Sequence, residues 1–143
     1  MPIVSITRLH LRGARFFPSF LLYSFRSTGQ VRRAAGFRAG WLGHDDQWGF
    51  WTATVWDSAE AMRDYRNAPP HLTAMKKLLH WCDEASYTHW EAEGIEPPDG
   101  ETAFRRLREA GRLSKVLNPS ERQRAGRTVG DSSPRTDRPL RPK

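Results

Sequence analysis

The nine residues Gly49–Asp57, GFWTATVWD, constrain the fold more than any other stretch of the chain. They are aromatic or β-branched almost throughout, which is the composition of a strand. Side chains alternate along a strand, so Trp51, Ala53 and Val55 share one face while Phe50, Thr52, Thr54 and Trp56 share the other. Neither face carries a charge. The strand therefore belongs inside a sheet that is covered on both sides.

The neighbouring segments supply the other elements. PIVSITRLHL (Pro2–Leu11) alternates and predicts a first strand. From Arg15 to about Ala34 the spacing turns helical, with Phe17, Phe20, Leu21, Ser24 and Phe25 on one stripe. Pro18 is tolerated only in a first turn, so this helix starts between Phe16 and Pro18. Gly36 stops it. Gly36–His44 predicts a second strand, weakened by three glycines. The turn DDQWG then leads into the central strand, with Asp45 and Asp46 suited to it through side-chain to backbone hydrogen bonds. Ser58 caps a helix in which Met62 and Tyr65 fall on one stripe. NAPP (Asn67–Pro70) breaks that helix. A second piece resumes at Pro70, with His71, Met75, Leu78, Leu79 and Cys82 at helical spacing. Glu84–Glu91 alternates again as a last strand. The order strand, helix, strand, strand, helix, strand predicts an α+β, ferredoxin-like βαββαβ domain with a four-stranded antiparallel sheet.

Composition divides the chain at about residue 97. All six tryptophans precede Glu91, whereas the large apolar residues from Pro98 onward are Phe104, Val116, Val129 and four leucines. Residues 1–97 hold eleven basic and ten acidic side chains; residues 98–143 hold twelve and six, a net of +6. The expectation is a domain over 1–97 and a helical extension over 98–117, its helix at Glu101–Leu113. Residues 118–143, rich in Pro, Ser, Gly and Arg, read as a disordered basic tail. The overall charge of +7 thus reports the tail, and its arginines lack the interleaved aromatics of a specific nucleic-acid site. A single cysteine excludes an internal disulfide or a cysteine-based zinc cluster and fits a cytoplasmic protein. The most apolar run, Phe16–Phe25, is about half of the roughly 20 residues a membrane span needs.

The densest gathering of reactive groups is HWCDEASYTHWE, residues 80–91. Its period changes at Asp83, so His80 and Cys82 close a helix while Glu84 to Glu91 form a strand. His80 and His89 have no third ligand at metal-site spacing, and no metal site is expected. Cys82 reads as a small buried apolar residue rather than a nucleophile. Glu84 and Glu91 fall on opposite strand faces and cannot cooperate as an acid–base pair. The chain has no nucleotide-binding glycine motif, no nucleophile elbow and no HExxH zinc motif.

FWTATVWDSAEAMRDYRNAPPH resembles the central segment of the dimeric α/β-barrel superfamily, where a strand ending in a TVW-like run meets a helix opening on serine. Antibiotic-biosynthesis monooxygenases, haem-degrading monooxygenases and spheroidene-monooxygenase-like proteins share it, and the likeness spans about residues 1–93, nearest to an uncharacterised branch. The resemblance implies a homodimer in which helices cover one sheet face and the partner's sheet covers the other. It also implies a monooxygenase-like enzyme acting on a hydrophobic or aromatic small molecule held between helices and sheet. Phe20, Trp51, Trp56, Tyr65 and Met75 would line that cleft, and Asn67 and His71 would hold or activate the substrate without a cofactor. In the haem-degrading members a histidine on the helix after the TVW strand ligates haem. An ungapped count from Thr54 puts Met75 at that position, with Tyr65 at the tryptophan over the haem. Two alternatives stay open, a haem-binding protein and a non-catalytic ligand-binding or structural homodimer. His71 likewise reads two ways, as a polar group in the cleft or as a helix-start residue satisfying the broken backbone of NAPP.

Overall fold

The computed structural model describes residues 1–69 and 71–143. Its body consists of β1 (Ile3–Leu11), α1 (Phe17–Arg33), β2 (Phe37–His44), β3 (Phe50–Trp56), α2 (Ala59–Asn67), α3 (His71–Trp81) and β4 (Cys82–Glu91). This is the expected order, with the second helical segment in two pieces. The expected restart at Pro70 lies outside the described residues; α3 is described from His71. Local chemistry sets the boundaries. Pro18 sits in the first turn of α1, and the Ser58 hydroxyl accepts from the Ala61 N–H at the start of α2. The Asp45 carboxylate accepts from the backbone N–H groups of Gln47 and Gly49, which folds the turn between β2 and β3. Strand β4 begins at Cys82 rather than Glu84, because β1 pairs with it from Leu11 across a register shift.

The sheet has six antiparallel strands in the order β5-β4-β1-β3-β2-β6, not four. Both additions come from beyond residue 97: β5 (Arg112–Leu113) on the edge of β4 and β6 (Arg135–Leu140) on the edge of β2. Two short helices, α4 (Gly100–Ala110) and α5 (Glu121–Arg124), lie between the body and β6. Residues 118–143 are therefore ordered against the body, contrary to the expected disordered tail. The open edges of β2 and β4 offer rows of unpaired backbone groups that the tail satisfies. Gly43, a weak point by propensity, makes this closure feasible, since a Cβ there would collide with the Arg135 carbonyl.

Register assigns the two faces. Ile3, Ser5, Thr7 and Leu9 pair with Trp56, Thr54, Thr52 and Phe50 and share one face. Phe20 of α1 lies 4.9 Å from Phe50, and Tyr65 of α2 lies 5.1 Å from Trp56, ring centre to ring centre, so the helices cover that side. On the opposite face Val4, Ile6, Trp41, Trp51, Ala53 and Val55 pack against Ala103 and Leu107 of α4 and against Val129. Leu107 is fully buried. The face expected to meet a partner's sheet is thus filled by the chain's own C-terminal segment. Such a cover needs few apolar residues because the sheet already supplies most of the apolar surface.

Under this cover lies a buried ionic lock. Arg8 is 2% exposed and donates from Nε to Asp45 at 2.8 Å and from Nη1 to Glu84 at 2.7 Å. Trp51 Nε1 donates to Asp45, and Ser120 Oγ, just ahead of α5, donates to Glu84. Burial alone would raise both carboxylates, but the Arg8 hydrogen bonds and charge outweigh it and hold both below their ordinary values. The Gln123 side chain accepts from the Ala85 N–H and donates to the Ser114 carbonyl, tying α5 to β4.

Candidate functional site

The helix-covered face is the less completely filled side of the sheet. Ser5, Thr7, Leu9, Phe50, Thr52 and Tyr87 are half-buried on it, while Val4, Ile6 and Arg8, alternating with them on β1, are at most 2% exposed. This face of the sheet is hydroxyl-bearing and carries an aromatic cluster at each end. Phe20 and Phe50 form one end. At the other, Phe37, Trp56, Tyr65 and His71 make a column with successive ring centres 5.6, 5.1 and 4.7 Å apart. Tyr65 donates to the Ser27 carbonyl on α1, seven residues and about 10 Å along the helix from Phe20.

His71 owes its place to the break in NAPP. Ala68 takes an extended conformation that ends α2. Gln30 of α1 bridges the gap: its Nε2 donates to the Tyr65 and Ala68 carbonyls at 3.0 and 3.2 Å, and its Oε1 accepts from the His71 backbone N–H at 2.8 Å. The exposed carbonyls and N–H of a broken helix are satisfied by this one amide. The imidazole Nδ1 donates to the Arg66 carbonyl at 3.3 Å, which leaves Nε2 without a hydrogen. Burial pushes the His71 pKa down, reinforced by the Arg66 charge and opposed by the Arg66 hydrogen bond, so the ring is neutral near pH 7. Burial pushes the Tyr65 hydroxyl up, and it stays protonated.

The expected site residues divide. Phe20, Trp56, Tyr65 and His71 all lie on the helix-covered side. Trp51 does not: it faces the C-terminal cover, because residues an odd number apart on a strand point oppositely. Met75 is 39% exposed on α3, and Asn67 is exposed at the end of α2 with no side-chain hydrogen bond among the described residues. A groove of about 1070 Å³ opens between the C-terminal half of α1 and α2. Tyr65 lines it, while the other six expected residues do not. Gln30, the organiser of the junction, gave no sequence signal beyond being polar near a helix end.

Cys82 is buried, and its thiol is pushed up to about 12 by burial and by Asp83, which removes it as a nucleophile. His10, Asp83 and Glu84 bring three potential ligand atoms within 4.8 Å. Both Glu84 oxygens are already engaged, by Arg8 and by Ser120, which leaves the group poorly suited to a cation. Haem is not matched by the residues present. Met75, at the ligand position, faces solvent, and the His71 ring is packed on Tyr65 and bonded to Arg66.

No family model matches the chain, and no curated protein matches it by sequence. Solved structures do match. Rv0793 from Mycobacterium tuberculosis is 16% identical with a TM-score of 0.60, over 66% of this chain and 97% of that one. SnoaB, a cofactor-independent oxygenase from Streptomyces nogalater, is 22% identical with a TM-score of 0.50, over 68% and 98%. A putative antibiotic biosynthesis monooxygenase from Nitrosomonas europaea is 13% identical with a TM-score of 0.57, over 64% and 90%. The chain therefore has the ferredoxin-like fold of antibiotic-biosynthesis-monooxygenase-like proteins. About a third of it has no counterpart in these neighbours, which matches the length of the stretch after residue 97.

Proposed function

We propose that the protein is a monooxygenase-like enzyme that binds a hydrophobic, electron-rich aromatic molecule in the cleft between α1, α3 and the sheet. The observation that carries this reading is the neutral His71. Its Nδ1–H is committed to Arg66, its Nε2 is bare, and it stands on an aromatic column beside a hydroxyl-bearing floor. Bare Nε2 is the form that accepts a proton. The substrate would be a fused-ring molecule with a methylene made acidic by conjugation, through its flanking rings, to a carbonyl. Aromatic side chains at both ends hold its rings, and Ser5, Thr7 and Thr52 offer hydrogen bonds to its oxygens. His71 takes a proton from the methylene, and the resulting carbanion reduces oxygen directly. Overall CH2 and O2 give C=O and H2O, so no external reductant is required. Asn67, exposed at the end of α2, is the weaker of the two polar candidates for this role.

An oxygen electrode with an anthrone as substrate tests the reading. Uptake above the protein-free rate, lowered about a hundredfold or more in His71→Ala, is expected, within the range general-base removal costs. Anthrone binding without oxygen uptake would favour the non-catalytic alternative, and neither binding nor uptake would end both.

A further inference from the structure

Helix α1 has a second apolar face that is left largely exposed among the described residues. Phe20 and Val31 are buried against the body. Phe17, Leu21, Leu22 and Phe25, by contrast, are 39, 50, 49 and 79% exposed. At 100° per residue, Phe17, Leu21 and Phe25 form one stripe about 12 Å long, with Leu22 beside it. Single exposed apolar residues are ordinary, but four large ones on two turns of one helix mark a contact surface.

Charge identifies the occupant. Residues 1–44 contain seven arginines and no acidic residue; all ten acids of residues 1–97 follow, beginning at Asp45. Arg12 and Arg15 lie against the Phe16 ring at the start of α1, at 4.4 and 4.7 Å from its centre. Arg26, Arg32 and Arg33 follow towards its end. An apolar stripe with cations at both ends is the pattern of a helix lying in a membrane interface, where arginine stems rest on apolar surface and the charges reach lipid headgroups. A two-fold contact with another copy through this stripe would set these arginines against one another with no acid on α1 to relieve them. Phe25, 79% exposed, also borders the groove between α1 and α2, with Arg26, Arg32 and Arg33 beside it. No helix among the described residues is long and apolar enough to cross a membrane, so the contact is peripheral.

We propose that α1 docks the protein on anionic phospholipid bilayers, inserting Leu21, Leu22 and Phe25 between headgroups held by the flanking arginines. This surface stands independently of catalysis. If the cleft binds a hydrophobic molecule as proposed above, α1 is also its wall and would bring it next to the lipid phase.

The test is co-sedimentation of the full chain with vesicles of equal parts phosphatidylcholine and phosphatidylglycerol, against vesicles of phosphatidylcholine alone. Binding to the anionic vesicles is expected, weakening as salt rises from about 0.05 to 0.5 M. The double variant Leu21→Asp, Phe25→Asp alters only exposed positions and is expected to bind at least about tenfold more weakly. Failure of the wild-type chain to sediment with anionic vesicles at low salt overturns the proposal. So does undiminished binding of the double variant, which would assign the affinity to the basic C-terminal segment. A dimer by light scattering that Phe25→Asp dissociates, without vesicle binding, would overturn it in favour of a second copy.

Discussion

At the scale of single residues, the chemistry turns on His71, Gln30 and Arg8. The depressed pKa of His71 predicts that its imidazole is neutral at pH 7 and carries its hydrogen on Nδ1. Nitrogen-detected NMR titration should place its midpoint below about 6.5, the ordinary histidine value. An imidazolium that persists above that pH would contradict the assignment of Nε2 as a base. Gln30→Ala removes the three hydrogen bonds of the NAPP junction and should cost about 1–3 kcal/mol in denaturant unfolding. The loss should be accompanied by faster amide exchange at His71. Arg8→Met leaves Asp45 and Glu84 buried without their cation and should cost about 3–5 kcal/mol. His71 and Tyr65 stand out in the sequence because both sit beside a proline break on an apolar stripe. Arg8 and Gln30 do not, because their partners lie 37 to 76 and 35 to 41 residues away, and no local pattern encodes such pairings.

At the scale of elements, the strongly periodic stretches were legible. The boundaries of α1, β3 and α2 follow from Pro18, the aromatic alternation and the Ser58 cap. The two-sided apolar pattern of β3 also implied two covers. The alternation puts Trp51 and Trp56 on opposite faces, while the resemblance implied both in one cleft; the pattern could not say which cover meets which face. Strand β2 illustrates a different limit. Its glycines lower intrinsic strand propensity, yet Gly40 and Gly43 sit where Cβ atoms would strike the Ala53 and Arg135 carbonyls. Gly43→Val should therefore detach β6 while leaving β2 and β3 paired. The outcome is checked by loss of amide protection at Arg138 and Leu140, which pair with Leu42 and Gly40, with protection retained in β3. The C-terminal elements were illegible for a related reason: α5, β5 and β6 are short and polar, and they are ordered by the edges and face they cover rather than by their own propensity.

At the scale of the whole molecule, the C-terminal segment makes the sheet two-sided within one chain. A partner's sheet cannot occupy the same face while Ala103, Leu107 and Val129 fill it. Light scattering of the full chain in detergent-free buffer should give a monomer near 16.5 kDa, and a stable dimer would show that the cover is displaced or that another surface associates. The lock beneath the cover also sets the acid response. Asp45 and Glu84 have folded pKa values below their unfolded ones, so their stabilisation is complete above the ordinary carboxylate range and is lost as pH falls through the folded values. Stability should drop below about pH 4, and in Arg8→Met, where burial without the cation raises both carboxylates, Asp45 and Glu84 should no longer contribute to that drop. The proposed binding side is the opposite face of the sheet, with His71 at one end. Its most direct test is chemical-shift mapping of an anthrone bound to the full chain with oxygen excluded. Perturbations should centre on Thr7, Thr52, Tyr65 and His71. Perturbations confined to the outer groove at Arg32, Arg33 and Asp64, or none at saturating ligand, would contradict it.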